Sequence, residues 1–369
     1  MTPKERLLAA IKGDKTDRLP WSPNVAYWWP MQSHEIISMG EVEFLESIGA
    51  DPLIRGHYPM TDKEWNSLFL FREEFVGCEK KEVVKGDRKQ LTYSTPVGEL
   101  NFEYVYSPVG DTWFLTKHGV VTEEDFKTLV YLKEHTVIKP DYSGYNNIIS
   151  RYGNRCLVLP LLVPEKKSAF QSLIEFWTGT EELVYALADY PETVEEAIDA
   201  MRRVNLQAVK VSVESGAEAF LTWEDSSTTN VSPSWYEKYI ASEINDWVNI
   251  IHQHDGLYIQ HACGKLKNLL PIMRNTGIDA IESISPPPTG DIELWDARQQ
   301  LPENIALIGG IEPTMFETLR EEEFEKYVLN LADRMRGTRF IMANSDSCPP
   351  GVPIENYRAV AEILRKHGY

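Results

Sequence analysis

From residue 217 onward the chain alternates short apolar runs with helical patterns, and this alternation constrains the fold more than any other feature of the 369-residue sequence. Strand patterns fall at 217–223, 256–261, 279–283, 304–309 and 339–343, and helical patterns at 233–254, 265–275, 291–300, 313–336 and 353–366 follow them in turn. Strands separated by helices pair in parallel through right-handed crossovers. Five such units fit either a barrel or a doubly wound sheet. The first half is less regular, but 19–24, 51–53 and 156–163 supply three further strands, bringing the total to the eight that a closed barrel requires. Between them, 75–121 is rich in β-branched and aromatic residues punctuated by Gly-Asp and Pro-Val-Gly turns, the pattern of an antiparallel β insertion. The expectation is an α/β chain forming one domain over 1–369, a (β/α)8 TIM barrel with a β insertion at about 75–121 in its N-terminal half.

Composition narrows the partners. A formal charge of -19, from 37 basic and 56 acidic residues, repels a phosphate backbone, and no basic stripe interleaved with aromatics offsets it. Nucleic acid and anionic membranes are therefore excluded as expected partners. Residues 1–15 are amphipathic and charged, without the apolar core of a secretory signal. The longest apolar run, 156–163, contains Pro160 and is far shorter than the roughly 20 residues that cross a bilayer. The expectation is a cytoplasmic protein without a membrane span. Its 4 cysteines are too few and scattered for a disulfide framework. Neither a dinucleotide fingerprint nor a P-loop is present, so nicotinamide and nucleoside triphosphates are not indicated.

Chemistry concentrates at the strand ends. His261 and Cys263 stand two apart at the end of one strand, where alternate side chains share a face, so imidazole and thiolate can bind one ion together. That spacing alone is more often met by packing residues. Glu282 ends the next strand and Cys348 follows the last one, and a barrel brings C-terminal strand ends to a single mouth. Two thiolates with an imidazole favour Zn2+ over Mg2+ or Ca2+, and Glu282 would be a fourth or exchangeable ligand. Glu224 and Asp225 end another strand; they are candidates to protonate a leaving group or orient substrate, or else they cap and solvate.

Trp21, Tyr27, Trp28 and Trp29 follow the first strand and either wall a substrate pocket or pack as core. Asp346 is a substrate contact or a turn residue. Tyr58, Trp177, Cys78 and Cys156 read as packing residues, and His252 and His254 as surface residues on a helix.

Several of these segments carry a resemblance. His261-Ala262-Cys263-Gly264, Gly277-Ile278-Asp279, Gly309-Gly310-Ile311-Glu312-Pro313 and Cys348-Pro349-Pro350-Gly351-Val352-Pro353 resemble the uroporphyrinogen decarboxylase superfamily. Within it, His-x-Cys followed far downstream by Cys resembles the zinc methyltransferases that work with corrinoid proteins. The order His261, Cys263, Glu282, Cys348 is also similar to the zinc set of cobalamin-independent methionine synthase, a related barrel.

The resemblance implies methyl transfer between a corrinoid protein, which carries the cobalamin, and a small molecule. The candidates are an aryl methyl ether, an alcohol or an amine as methyl donor, and a thiol or folate as acceptor. Decarboxylation of a porphyrinogen or related acid is the second reading. True decarboxylases carry porphyrin-clamping arginines after an Arg-Pro-Pro segment, whereas this chain has Leu19-Pro20-Trp21-Ser22-Pro23-Asn24 there. Monomer and homodimer are both left open.

Overall fold

The computed structural model describes residues 1–62, 65–108 and 112–369. Helix α1 (Pro3–Lys12) opens the chain, with a capping box in which Thr2 and Glu5 satisfy each other's backbone donors. Thirteen strands follow among the described residues. They are β1 (Leu53–Arg55), β2 (Phe71–Phe75), β3 (Glu79–Lys85), β4 (Arg88–Thr95), β5 (Gly98–Ser107), β6 (Thr112–Lys117), β7 (Thr136–Pro140), β8 (Leu157–Leu159), β9 (Ala219–Trp223), β10 (Leu257–His261), β11 (Ala280–Glu282), β12 (Ala306–Ile311) and β13 (Phe340–Asn344).

The chain divides into two compact units. The first comprises Met1–Leu70, Tyr142–Leu162 and Val213–Tyr369. In it β9 to β13 form a parallel sheet in sequence order, and β1 pairs in parallel with β8. Single bridges join these groups. Leu161, just past β8, bridges Leu221 of β9, and Trp21 bridges Met342 of β13, with Ser22 N–H donating to Met342 O at 2.9 Å. Asp51 N–H then donates to Trp21 O at 2.7 Å, immediately before β1. The path of hydrogen bonds thus returns to its starting strand.

Strand alternation sends one set of side chains to the inside of this path. Leu53, Leu157, Leu159, Ala219, Leu221, Ile259, Ala280, Ala306, Ile308, Ile341 and Ala343 form one buried cluster, joined by Leu7, Ala10 and Ile11 of α1. The connecting helices are amphipathic: Ile354–Lys366 buries Tyr357, Val360, Ile363 and Leu364, spaced to share one face.

The second unit comprises Phe71–Asp141 and Val163–Ser212. The antiparallel expectation for 75–121 is met here by a sheet of order β3-β4-β5-β6, beside the antiparallel pair β2 and β7. Tyr93, Leu100 and Phe102 are buried, while β3 is exposed along its whole length. Helix Glu123–Glu134 and all but the last residue of helix Pro191–Val213 belong to this unit. No helix among the described residues is long and apolar enough to cross a membrane.

Three sequence-derived elements differ from what forms. The strand at 19–24 reduces to the bridge at Trp21, because Pro20 and Pro23 have no N–H for a ladder. The helix at 265–275 reduces to Leu270–Met273; the amides of Leu266 and Lys267 instead donate to Asp291 Oδ1, at 2.9 and 3.0 Å. The helix at 313–336 is two helices, Pro313–Thr318 and Glu321–Arg334. Leu319 and Arg320 take extended backbone, and Glu321, Glu322 and Glu323 restart the second helix at its positive dipole end.

Candidate metal centre

Register places the chemistry. Parallel pairing sets Trp223 beside His261, and His261 beside Glu282, at the C-terminal ends of β9, β10 and β11. Beyond β9 the chain curls over its neighbour: Glu224 N–H donates to His261 O at 3.0 Å, and Asp225 takes a left-handed φ of 46°. Ser283, directly after β11, has φ 77°. Left-handed backbone in non-glycine residues is costly and concentrates at sites where it aims side chains. Gly264 follows Cys263 with φ 81°, and a Cβ there would meet Ser227 Oγ at 2.9 Å, so the turn that presents Cys263 needs glycine.

The result is a compact set of donors. Asp225, His261 and Cys263 each offer a ligand atom, all within 4.8 Å of one another. His261 Nε2 lies 3.5 Å from Asp225 Oδ1, and Cys263 Sγ lies 3.6 Å from the same oxygen. Protein ligands about 2.0–2.3 Å from one tetrahedral ion stand roughly 3.3–3.8 Å apart. This set therefore fits a metal ion with little adjustment.

The other face of His261 is also occupied. Nδ1 lies 3.1 Å from Glu282 Oε2 and 3.1 Å from Ser283 Oγ. Glu282 is an acceptor only when ionised, so Nδ1 carries a proton toward it and Nε2 is turned toward Asp225 and Cys263. Glu282 is fully buried; burial works to raise its pKa, but Arg55 and His261 outweigh it and hold the carboxyl down at about 2. Arg55 Nε donates to Glu282 Oε1. Burial also pushes the Cys263 thiol up, with His261 opposing.

The remaining expected site residues divide into four groups. Asp346 and Tyr27 share the electrostatic surroundings of Asp225 and His261, with Tyr27 largely exposed and Asp346 raised in pKa mainly by burial. Cys348 is buried outside the Asp225–His261–Cys263 group, beside Tyr357 and Asn344, and burial pushes its thiol up to about 12. Glu224 is fully buried, where its charge bears on Tyr236 and Tyr258.

Trp21 and Trp28 are fully buried in packing. Trp21 stands edge-on to Phe316, and Trp28 packs on Phe44 and Tyr357 with Nε1 donating to Val352 O at 2.7 Å. His252 and His254 lie at the surface, pairing with Asp279 and Glu214. Sequence reasoning missed Arg55, Ser283 and Trp223. Carrying the alternation of β1 two residues past Leu53 would have pointed Arg55 inward.

Comparison with known proteins follows the same lines. The chain is 22% identical over 324 residues, 85% of its own length and 83% of the relative's, to the methylcobamide:CoM methyltransferase MtbA of Methanosarcina mazei. It is 23% identical over 177 residues to a uroporphyrinogen decarboxylase of Prochlorococcus marinus, a match spanning 47% of each chain and so about half of that relative's length. In fold it is similar to a solved methyltransferase from Methanosarcina mazei, at 14% identity and a TM-score of 0.62 with both chains fully covered. Residues 171–367, more than half of the chain, match the family described as uroporphyrinogen decarboxylase (URO-D), and the chain belongs to that family.

Proposed function

We propose that the chain is a zinc-dependent methyltransferase that moves a methyl group between a small molecule and a corrinoid protein. In this reading the returning path of parallel segments is a (β/α)8 barrel, and 1–369 is one such domain carrying its β insertion at about 75–121. The observation that carries the proposal is the Asp225–His261–Cys263 group, set at strand ends with His261 already oriented by Glu282. The name of the Methanosarcina relative, similar over 85% of this chain, supports methyl transfer with a corrinoid partner.

His261, Cys263 and Asp225 would hold the zinc. Cys348 is proposed as a further thiolate: it adjoins Asp346, which in turn feels the charge of His261. A mixed thiolate, imidazole and carboxylate set suits zinc better than magnesium or calcium. Bound there, zinc would lower the pKa of a substrate thiol or polarise a leaving heteroatom. Asp346 and Tyr27 orient the substrate head beside the group, and Glu282 holds the proton on His261 Nδ1. Arg55 is engaged by Glu282 and by the carbonyls of Ser22, Pro23 and Leu53, an arrangement that favours methyl transfer over a decarboxylase reading in which arginines clamp substrate carboxylates.

The test is metal analysis together with a methyl-transfer screen. Purified protein is expected to carry about one zinc per chain. Methylated amines, alcohols and aryl methyl ethers are offered with cob(I)alamin, and thiols with methylcobalamin, while the cobalamin spectrum is followed. Formation or consumption of methylcobalamin supports the reading. Zinc-free protein after growth in zinc-replete medium, or a cobalamin spectrum unmoved by every substrate, overturns it.

A further inference from the structure

Arg55 and Glu282 meet across the ring of parallel segments. Arg55 ends β1 and Glu282 ends β11, and neither strand hydrogen-bonds to the other. Both are buried, at 5% and 2% side-chain exposure, so each charge depends on the other for compensation. The guanidinium has little freedom. Nη2 donates to Ser22 O at 2.7 Å, and Nη1 donates to Pro23 O at 3.1 Å and Leu53 O at 3.0 Å, which leaves Nε aimed at Glu282. The backbone behind it is tied as well: Arg55 O accepts from His57 Nδ1 at 3.1 Å, and His57 Nε2 lies 2.6 Å from Glu41 Oε2.

The carboxylate fixed in this way uses its second oxygen on His261 Nδ1, at 3.1 Å. A partner on the far nitrogen of a metal-binding histidine sets its tautomer and ring orientation and strengthens it as a ligand. We propose that Arg55 is a positioning residue for the metal centre, acting through Glu282 to hold His261 with Nε2 turned toward Asp225 and Cys263. The inference rests on the metal reading above and assigns Glu282 a role on His261 in place of a seat among the ligands. An amide or a lysine at position 55 cannot reproduce the fork that satisfies three carbonyls and one carboxylate together.

The experiment measures zinc affinity by competition with a chromophoric chelator for wild type, Arg55→Lys, Glu282→Gln and the double variant Arg55→Lys/Glu282→Gln. Circular dichroism of each protein without metal confirms that it is folded. Cobalt-substituted samples report the thiolate-to-metal band, which Cys263 supplies in all of them. Each single variant is expected to bind zinc about 10–100-fold more weakly. The double variant is expected to be no weaker than the worse single one, because both residues act along one path.

An affinity equal to wild type in Arg55→Lys, or losses that multiply in the double variant, would overturn the inference. Should Arg55→Lys fail to fold, Arg55→Gln paired with Glu282→Gln removes both buried charges together and carries the same comparison. Wild type that binds no zinc defeats the metal reading itself. Wild type that binds zinc with an unaltered Arg55→Lys variant defeats only the role of Arg55.

Discussion

The two ends of the parallel strands use the same inward-facing positions for opposite purposes. At the N-terminal end Leu53, Leu157, Ala219, Ile259 and Ala306 pack with Leu7, Ala10 and Ile11 of α1 in one apolar cluster. At the C-terminal end the inward positions that follow Leu53, Leu221, Ile259 and Ala280 are Arg55, Trp223, His261 and Glu282. Strands β1, β9, β10 and β11 enter the interior through an aliphatic side chain and leave it through a charged, imidazole or indole group, whereas β8, β12 and β13 stay aliphatic through Leu159, Ile308 and Ala343. Non-glycine residues take left-handed backbone at both ends, Asp255 before β10 and Asp225 and Ser283 beyond β9 and β11. One end supplies stability; the other is held in place by buried ion pairs that only pay off if the geometry is used.

This contrast can be broken in either direction. The largest effect is expected at the C-terminal end, where Cys263→Ala removes a donor from the candidate metal group. Methyl transfer should fall by at least about a thousandfold, ~4 kcal/mol in activation terms, while the urea unfolding midpoint stays near that of wild type. A variant that unfolds early would make Cys263 a packing residue and erase the division.

Next comes the opposite end. Leu7→Ala empties a fully buried position and should cost about 3 kcal/mol in urea unfolding, while zinc content remains unchanged. Loss of zinc in that variant would show that the two ends are not separable.

The smallest effect concerns the ties outside the aliphatic layer. Asp17 is held well below the usual carboxylate range by its hydrogen bond from Arg6 Nε, at 2.6 Å. A depressed folded pKa contributes stability that is present above the unfolded value of about 3.9 and is lost as pH falls toward the folded one. With 42% of the side chain exposed, the contribution is below about 1 kcal/mol. Asp17→Asn should therefore destabilise slightly at pH 7, and the difference from wild type should narrow at pH 3. A gap that widens on acidification would place the tie elsewhere.

Much of this fold was legible in residue order. The five strands after residue 217 form where their apolar runs put them, and the strand before His261 ends at His261 itself. Legibility failed where a distant group took over a backbone donor, as Asp291 does for Leu266 and Lys267. It also failed where proline removed one, at Pro20 and Pro23. In both cases local periodicity was intact and the hydrogen-bond partner decided the outcome.

The candidate site divides in the same way. Residue type and spacing alone determined that an imidazole and a thiolate stand two apart at a strand end, with Glu282 one strand further on. Only the tertiary structure decided what each of them faces. Asp225 joins His261 and Cys263 because the chain turns through a left-handed residue over the end of β10, Glu282 turns to Arg55 and His261, and Cys348 packs beside Tyr357. Spacing along one strand fixes a side chain's face through the two-residue period. Contacts across the ring depend on the register of every strand between them, which no local pattern encodes.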